Sequence, residues 1–298
     1  MSLKPTWSRD GIDLYLGDCL DVLPQLRDGT FDLCITSPPY NSRKNYGAVS
    51  DEIPWPEYYA VAQRWLAEVY RVLRRGGTVA VNVPPVIRWQ RDHKHNDTWF
   101  GWDATYKSHR GSERTLGKAR IEPLGFRLFD MMAAIDSHVR EPIVWVKSSN
   151  GTDAFANETR AGCDSDPYMR PCHEWVLLGS KGQWFHRGGT GQRGRNAIPD
   201  LSHYKDAWLL PAGRCKGHSA TFPLELVLRL ARIFTHAPDA IILDPFVGSG
   251  TTILAAIEMG LPAVGVEKNP GFFWTVCVPR VEKALAERSE QLAFKEAV

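Results

Sequence analysis

Two hydrophobic rhythms alternate along this chain. Short β-prone runs occupy Ile12–Leu16, Phe31–Thr36, "TVAVNV" at 78–83, "PIVWVK" at 142–147, "EWVLLGS" at 174–180, "AIILD" at 240–244 and "AVGVE" at 263–267. Between them lie longer segments with apolar residues three and four apart, the spacing of one helical face. In "PWPEYYAVAQRWLAEVYRVLRRGG" the positions Val61, Ala62, Trp65, Leu66, Val69, Val72 and Leu73 share such a face, and Gly76-Gly77 are expected to stop the helix. "GDCLDVLPQLRDG" reads as a helix closing at Asp28-Gly29, and "GFRLFDMMAAIDSHV", "FPLELVLRLARIFTHA" and "GTTILAAIEMG" as three more. A last helix begins at about Phe272. Strands alternating with helices predict a mostly parallel sheet covered on both faces, an α/β architecture. "EWVLLGS", preceded by a long polar loop, reads as an edge-type strand.

Two stretches break the rhythm. Residues 88–120 interleave Arg88, Arg91, Lys94, Lys107, Arg110, Arg114, Lys118 and Arg120 with Trp89, Trp99, Phe100, Trp102 and Tyr106. Residues 181–216 carry Lys181, Arg187, Arg193, Arg195, Lys205, Arg214 and Lys216 against only Asp200 and Asp206, around a glycine-rich "HRGGTGQRGRN". A charge run is most often a solvated face, so these stretches acquire meaning only from what lies beside them. The whole chain, 298 residues with a formal charge of +2, does not itself announce a polyanion partner. Six scattered cysteines without a C-x-x-C pair predict a reduced, cytoplasmic protein lacking a zinc site. No apolar run is long enough to suggest a membrane span.

Candidate chemistry sits at two strand ends. The first is Thr36-Ser37-Pro38-Pro39-Tyr40, where an alternating, β-prone strand is stopped by a hydroxyl, two rigid residues and an aromatic ring. The second is "LDPFVGSGTTILAAIEMG": a strand ending at Asp244, a turn with Gly248 and Gly250, then a helix opening on Thr251-Thr252. It is neither the G-x-G-x-x-G dinucleotide fingerprint nor a Walker loop. Glu267 closes the next strand, where an acid can grip ribose hydroxyls. Threonine hydroxyls and N–H groups at a helix start can hold a carboxylate. An adenosine whose other end carries a carboxylate suits this set, and S-adenosylmethionine fits that description.

With S-P-P-Y early and D-P-F-V-G-S-G-T-T late, the chain resembles the β-group DNA amino-methyltransferases, from "LYLGDCLDVL" through "VWVK" and "HEWVLLGSKG" to "VGVEKNPGFF". The resemblance implies a Rossmann-like, circularly permuted fold: a mostly parallel seven-stranded sheet with an antiparallel hairpin. Its core would comprise 1–87, 121–180 and 217–298, with 88–120 a DNA-contacting insertion and 181–216 the target-recognition region. It further implies S-adenosylmethionine contacts from Asp18, Cys19, Ser219, Thr221, Phe222, Asp244, Phe246, Gly248, Gly250, Thr251, Glu267 and Lys268. Ser37, Pro38, Pro39 and Tyr40 would form the catalytic motif. Arg88, Arg91, Lys94, Arg110, Arg187, Arg193, Arg195 and Lys205 are the expected DNA contacts, with arginines suited to guanine edges.

The chemistry has its own logic. An exocyclic amino group conjugated to its ring is a poor nucleophile, and acceptors for both of its N–H bonds favour the pyramidal, attacking nitrogen. Ser37 Oγ and the Pro38 carbonyl are such acceptors, Pro39 brings no competing N–H, and Tyr40 offers a face for a flipped base. Serine at the head of the motif resembles the cytosine-N4 branch of the family, which makes site-specific methylation of double-stranded DNA within restriction–modification the leading expectation. Adenine-N6 methylation is the alternative, followed by protein glutamine methylation or a catalytically silent DNA-binding module. Pro171-Cys172 matches the nucleophilic dipeptide of carbon-5 enzymes, but its position favours a structural cysteine. His173 reads as a loop or polar-network residue, and His93, His95 and His109 as surface or phosphate contacts. A separately acting endonuclease and a monomeric or homodimeric state are both compatible with these features.

Overall fold

The computed structural model describes residues 3–41, 53–89, 103–107, 113–117, 120–135, 137–149, 152–153, 172–184, 205–213 and 222–296. The strands are β1 (Trp7–Arg9), β2 (Ile12–Leu16), β3 (Phe31–Thr36), β4 (Leu73–Val83), β5 (Ile87–Trp89), β6 (Asp103–Lys107), β7 (Glu113–Gly117), β8 (Arg120–Glu122), β9 (Ser137–Ser149), β10 (Thr152–Asp153), β11 (His173–Lys181), β12 (Ala207–Pro211), β13 (Ile242–Asp244) and β14 (Ala263–Glu267). The helices are α1 (Cys19–Val22), α2 (Trp55–Val72), α3 (Leu124–Ala134), α4 (Leu224–Phe234), α5 (Thr251–Met259), α6 (Pro270–Phe272) and α7 (Val278–Glu296).

The main sheet runs β1-β2-β14-β13-β3-β4-β11-β9-β10, with β12 also on β9. Its central seven strands, β2 to β9, all point one way except β11, which is antiparallel to both β4 and β9. The seven-stranded expectation therefore holds for the centre, and β1, β10 and β12 extend it at the margins. The last strand, β14, lies between β13 and β2, so sequence-distant strands meet in the sheet. That adjacency is what a permuted chain order requires.

The sheet separates two hydrophobic layers. Leu33 and Ile35 of β3 point into the layer formed with α4, α5 and α7, while Cys34 points into the layer formed with α1, α2 and α3. Both layers are filled, so all six residues of β3 are buried and its apparent alternation is not a solvent face. Interior parallel strands behave this way because helices cover both sides. On α4 the buried residues include Leu226, Val227, Leu230 and Phe234, and each fully buried large side chain contributes about 1.5–3 kcal/mol.

Several local expectations are corrected. The helix after Asp18 is one turn, α1, then a 3-10 turn at Leu23–Gln25, because Pro24 cannot donate a helical N–H. Helix α2 ends at Val72 rather than at the glycines, and Lys181 Nζ caps it by donating to the Arg71 and Leu73 carbonyls at 2.7 and 2.9 Å. Gly76 and Gly77 lie within β4; Gly76 has φ +81°, and a Cβ at Gly77 would stand 2.9 Å from the Arg74 carbonyl oxygen. Helix α3 stops at Ala134, and 137–139 begin β9. Finally, β11 is an interior strand between β4 and β9, not an edge. Its apolar run is buried on both sides, which matches the sequence better than an edge would.

Candidate active site

Carboxyl ends of parallel strands are where α/β sheets hold ligands. Here the ends of β3, β13, β14 and β2 surround one cavity of about 400 Å³, within the range of small-molecule sites. One part of its wall is Ser37, Pro38, Pro39 and Tyr40, at the end of β3; another is Phe246, Gly248, Glu267 and Lys268, at the ends of β13 and β14; Asp18 and Cys19, after β2, complete it. All four residues of the S-P-P-Y motif and six of the expected cofactor residues thus meet around one space.

On the glycine-turn side, backbone geometry organises the acids. Gly248 and Gly250 have φ of +48° and +84°, so the chain reverses tightly between β13 and α5. The reversal aims the Gly248 N–H at Glu267 Oε2 (3.0 Å), while the Asn269 N–H donates to Oε1 (2.8 Å). Burial raises the Glu267 pKa and these two N–H groups oppose the rise. Asp18 caps α1 through the Leu20 N–H at 2.9 Å and pairs with Lys268 Nζ at 2.8 Å. The Asp18 pKa ends below its ordinary value: burial pushes it up, but hydrogen bonds from Lys268 and Leu20 outweigh that. Cys19 is pushed up to about 12, chiefly by burial, and is an inert thiol.

Asp244 has a different place from the one expected. It lies 1% exposed behind the cavity, accepting from Thr36 Oγ1 (2.7 Å), Thr252 Oγ1 (2.6 Å) and the Phe246 N–H (3.0 Å). Burial raises its pKa to about 6 against the pull of those donors. It ties the end of β3 to the start of α5, so it builds the cavity's frame. Gly250 and Thr251 also lie outside the lining; the Thr251 hydroxyl is buried, 3.4 Å from Ser249 Oγ. Phe222 packs into the core layer with α4 and does not face the cavity. Its apolar neighbours explain this placement better than a ligand contact. Ser219 and Thr221 fall outside the described residues.

On the S-P-P-Y side the wall is braced from behind. Tyr58 donates from its hydroxyl to the Pro39 carbonyl at 2.7 Å, fixing the diproline. Asn41, at φ +54°, holds Ile53 through both its amide oxygen (2.9 Å) and its amide nitrogen (2.8 Å). Tyr40 is only 7% exposed, so its ring is mostly wall, with a limited face towards the cavity. Its hydroxyl lies 2.8 Å from Ser37 Oγ and within hydrogen-bonding reach of Asn82 and Glu174. Burial pushes the Tyr40 pKa well up, and the nearby Glu174 carboxylate adds to this. Trp65 of α2 meets Phe246 edge-to-face at 5.3 Å, joining the two walls.

Asn82, Lys147 and Glu174 form a polar group behind Tyr40 that pattern reading missed. Lys147 and Glu174 end or begin apolar strand runs ("VWVK", "HEWVLL"), and a charge in such a run is the signal that was available. Cys172 is half-buried and outside the cavity; its carbonyl accepts from the Lys147 N–H at 2.8 Å, a strand-extending role. His173 is half-buried and opens β11 opposite Val146. Among the described residues no cluster of His, Cys, Asp or Glu could hold a metal ion, and no helix is long and apolar enough to cross a membrane.

The basic residues are less completely placed. Arg88 lies on β5, which pairs with β8. Lys205 is exposed just before β12, on the margin of the sheet beyond β9. Arg91, Lys94, Arg110, Arg187, Arg193 and Arg195, with His93, His95 and His109, lie outside the described residues.

Sequence comparison assigns the class. The family model described as "DNA methylase" of the N6 and N4 type matches residues 31–276, and the chain belongs to that family. Among curated relatives, the type II methyltransferase M.ScaI of Streptomyces caespitosus is 26% identical over 94% of this chain and 84% of its own length. In fold, the chain is similar to the cytosine-N4-specific PvuII DNA methyltransferase, with TM-score 0.62 and 17% identity over 96% of this chain and 95% of that one. It is likewise similar to a DNA modification methylase of Thermus thermophilus complexed with S-adenosyl-L-methionine, with TM-score 0.61 and 23% identity over 91% and 95% of the two chains.

Proposed function

We propose that this type II DNA methyltransferase transfers a methyl group from S-adenosylmethionine to the exocyclic N4 amino group of cytosine in double-stranded DNA. The observation that carries the reading is that Ser37, at the end of a buried strand, lines the same cavity as Phe246 and Glu267. S-adenosylmethionine supplies an electrophilic methyl group when bound. Glu267 is the ribose acceptor, Phe246 an apolar wall for the adenine, and Asp18 and Lys268 a polar rim.

On the S-P-P-Y wall, Ser37 Oγ and the Pro38 carbonyl accept the two N–H bonds of the target amino group. This draws its lone pair out of conjugation and along the line of attack. Tyr58 and Asn41 keep the diproline from shifting, so the acceptors are in place before charge develops. The methylated ammonium product is acidic, so loss of its proton needs no strong base. A cytosine reaches this wall only if extruded from the duplex, at a cost of a few kcal/mol. Residues 88–120 and 181–216 are proposed to supply the phosphate and base contacts that offset this cost, with 1–87, 121–180 and 217–298 as the catalytic core.

Cytosine is favoured by serine at the head of the motif. Mass spectrometry of nucleosides from DNA methylated by the purified protein decides the base. N4-methylcytosine is the expected product. N6-methyladenine in its place would overturn the cytosine assignment and leave the amino-methyltransferase mechanism standing.

A further inference from the structure

Behind Ser37 lies a chain of polar groups that reaches across three strands. Glu174 of β11 meets Lys147 Nζ at Oε1, while its Oε2 lies 2.6 Å from Asn82 Nδ2 and 3.2 Å from the Tyr40 hydroxyl. Asn82 Nδ2 is also 2.8 Å from the Tyr40 oxygen, and that oxygen is 2.8 Å from Ser37 Oγ. Asn82 and Tyr40 are buried, and the Glu174 side chain is 13% exposed, so water competes little for these bonds.

Counting hydrogens gives the chain a direction. An ionised glutamate only accepts, and an ammonium only donates. The Asn82 amide nitrogen donates, so Tyr40 receives one hydrogen from it and has a single hydrogen of its own to give. Two acceptors draw that hydrogen away from Ser37: Glu174 Oε2, and the Asn82 main-chain carbonyl at 3.3 Å. The charged one is the stronger partner. With the Tyr40 hydrogen on Glu174, the 2.8 Å bond between the two hydroxyls takes its hydrogen from Ser37, which leaves the Ser37 lone pairs to face the cavity.

We propose that Glu174, held by Lys147, is a positioning residue that sets the polarity of the Tyr40–Ser37 pair and thereby makes Ser37 Oγ an acceptor for the target amino group. The inference rests on the methyl-transfer role assigned above to the S-P-P-Y wall and is indifferent to which base is methylated. In Glu174→Gln, the amide oxygen faces Lys147 and the NH₂ faces Tyr40. The charged acceptor is then gone, only the Asn82 carbonyl at 3.3 Å still competes for the Tyr40 hydrogen, and that hydrogen can turn towards Ser37 at 2.8 Å and block the acceptor.

The test measures single-turnover methylation rate, cofactor Kd by calorimetry, DNA Kd and Tm for Glu174→Gln, Glu174→Asp, Tyr40→Phe, Ser37→Ala and the Tyr40→Phe/Glu174→Gln double variant. Glu174→Gln is expected to lose about 10- to 100-fold in rate, the span of one charge-assisted hydrogen bond, with both Kd values within about twofold of the parent. Glu174→Asp should recover part of the rate because the carboxylate is kept. The double variant should be no slower than Tyr40→Phe alone within about twofold, because Glu174 acts through that hydroxyl. Losses that multiply in the double variant, or an unchanged rate in Glu174→Gln, would overturn the proposal. Should Glu174→Gln not fold, Glu174→Asp with and without Tyr40→Phe provides the same cycle. Full activity in Ser37→Ala would instead remove the methyl-transfer reading of this wall.

Discussion

The two walls of the cavity solve the burial of polar groups in opposite ways. On one side, Glu267 at the wall and Asp244 behind it are met by backbone N–H groups and threonine hydroxyls from the turn, the next helix and the end of β3. Around Ser37, the partners are side chains from β4, β9 and β11, arranged in series and ending in an ion pair. The first wall is a clamp whose shape follows from where the chain turns. The second is a relay whose direction depends on one distant charge. Under the proposed assignment the first wall binds and tolerates rigid, local satisfaction, whereas the second reacts and needs the hydrogens of its hydroxyls assigned.

The comparison can be broken most sharply at Ser37. Ser37→Ala is expected to slow methyl transfer by about two to three orders of magnitude, the scale of losing one preorganised transition-state partner, while cofactor affinity stays unchanged. Stopped single-turnover assays beside calorimetry read the two effects separately. On the clamp wall the pattern should invert. Glu267→Gln removes a charge that accepts from Gly248 and Asn269, and cofactor Kd should rise about 10- to 100-fold with a smaller change in the rate of bound complex.

Asp244→Ala tests the frame beneath both walls. It strands two buried threonine hydroxyls and one N–H, so a loss of about 2–4 kcal/mol in denaturant unfolding is expected, with cofactor affinity falling alongside. Asp244 also sets a pH signature. Its folded pKa of about 6 exceeds the ordinary 3.8, so its contribution to stability is fully present below about pH 4 and is lost as pH rises through about 6. The amount is on the order of 3 kcal/mol. Unfolding curves of Asp244→Asn should lack this component. The smallest effect is expected at the sheet margin, where Lys205→Ala should lower the slope of log affinity against log salt by about 0.9, the signature of one phosphate contact.

Most of the fold was legible because its signals are local. The helical stripe of Trp65, Leu66 and Val69, the Gly248–Gly250 turn and the buried strand runs each declare themselves within a short window. The S-P-P-Y and D-P-F motifs likewise announced two strand ends, and these do share one cavity. What pattern could not reveal depends on pairing between distant segments. Nothing within "LRRGGTV" indicates that Lys181 would cap α2 and let β4 start at Leu73. Thr251 looks like a ligand group until Asp244 is seen to organise the buried polar corner beside it. Glu174 becomes meaningful only when β11 is inserted between β4 and β9.

The position of β14 between β13 and β2 has a consequence for synthesis on the ribosome. Ile12 pairs with Ala263, and Leu16 with Glu267, so β2, although paired early with β1, waits about 250 residues for the neighbour that joins it to the rest of the sheet. At about 5–20 residues per second, the interval between making β2 and making β14 is roughly 10–50 seconds. During that time the S-P-P-Y wall exists without its counterpart. A nascent chain of this protein can assemble β3 and β4 early, yet it acquires a complete cavity only after β14 and the residues up to Phe272 have been made.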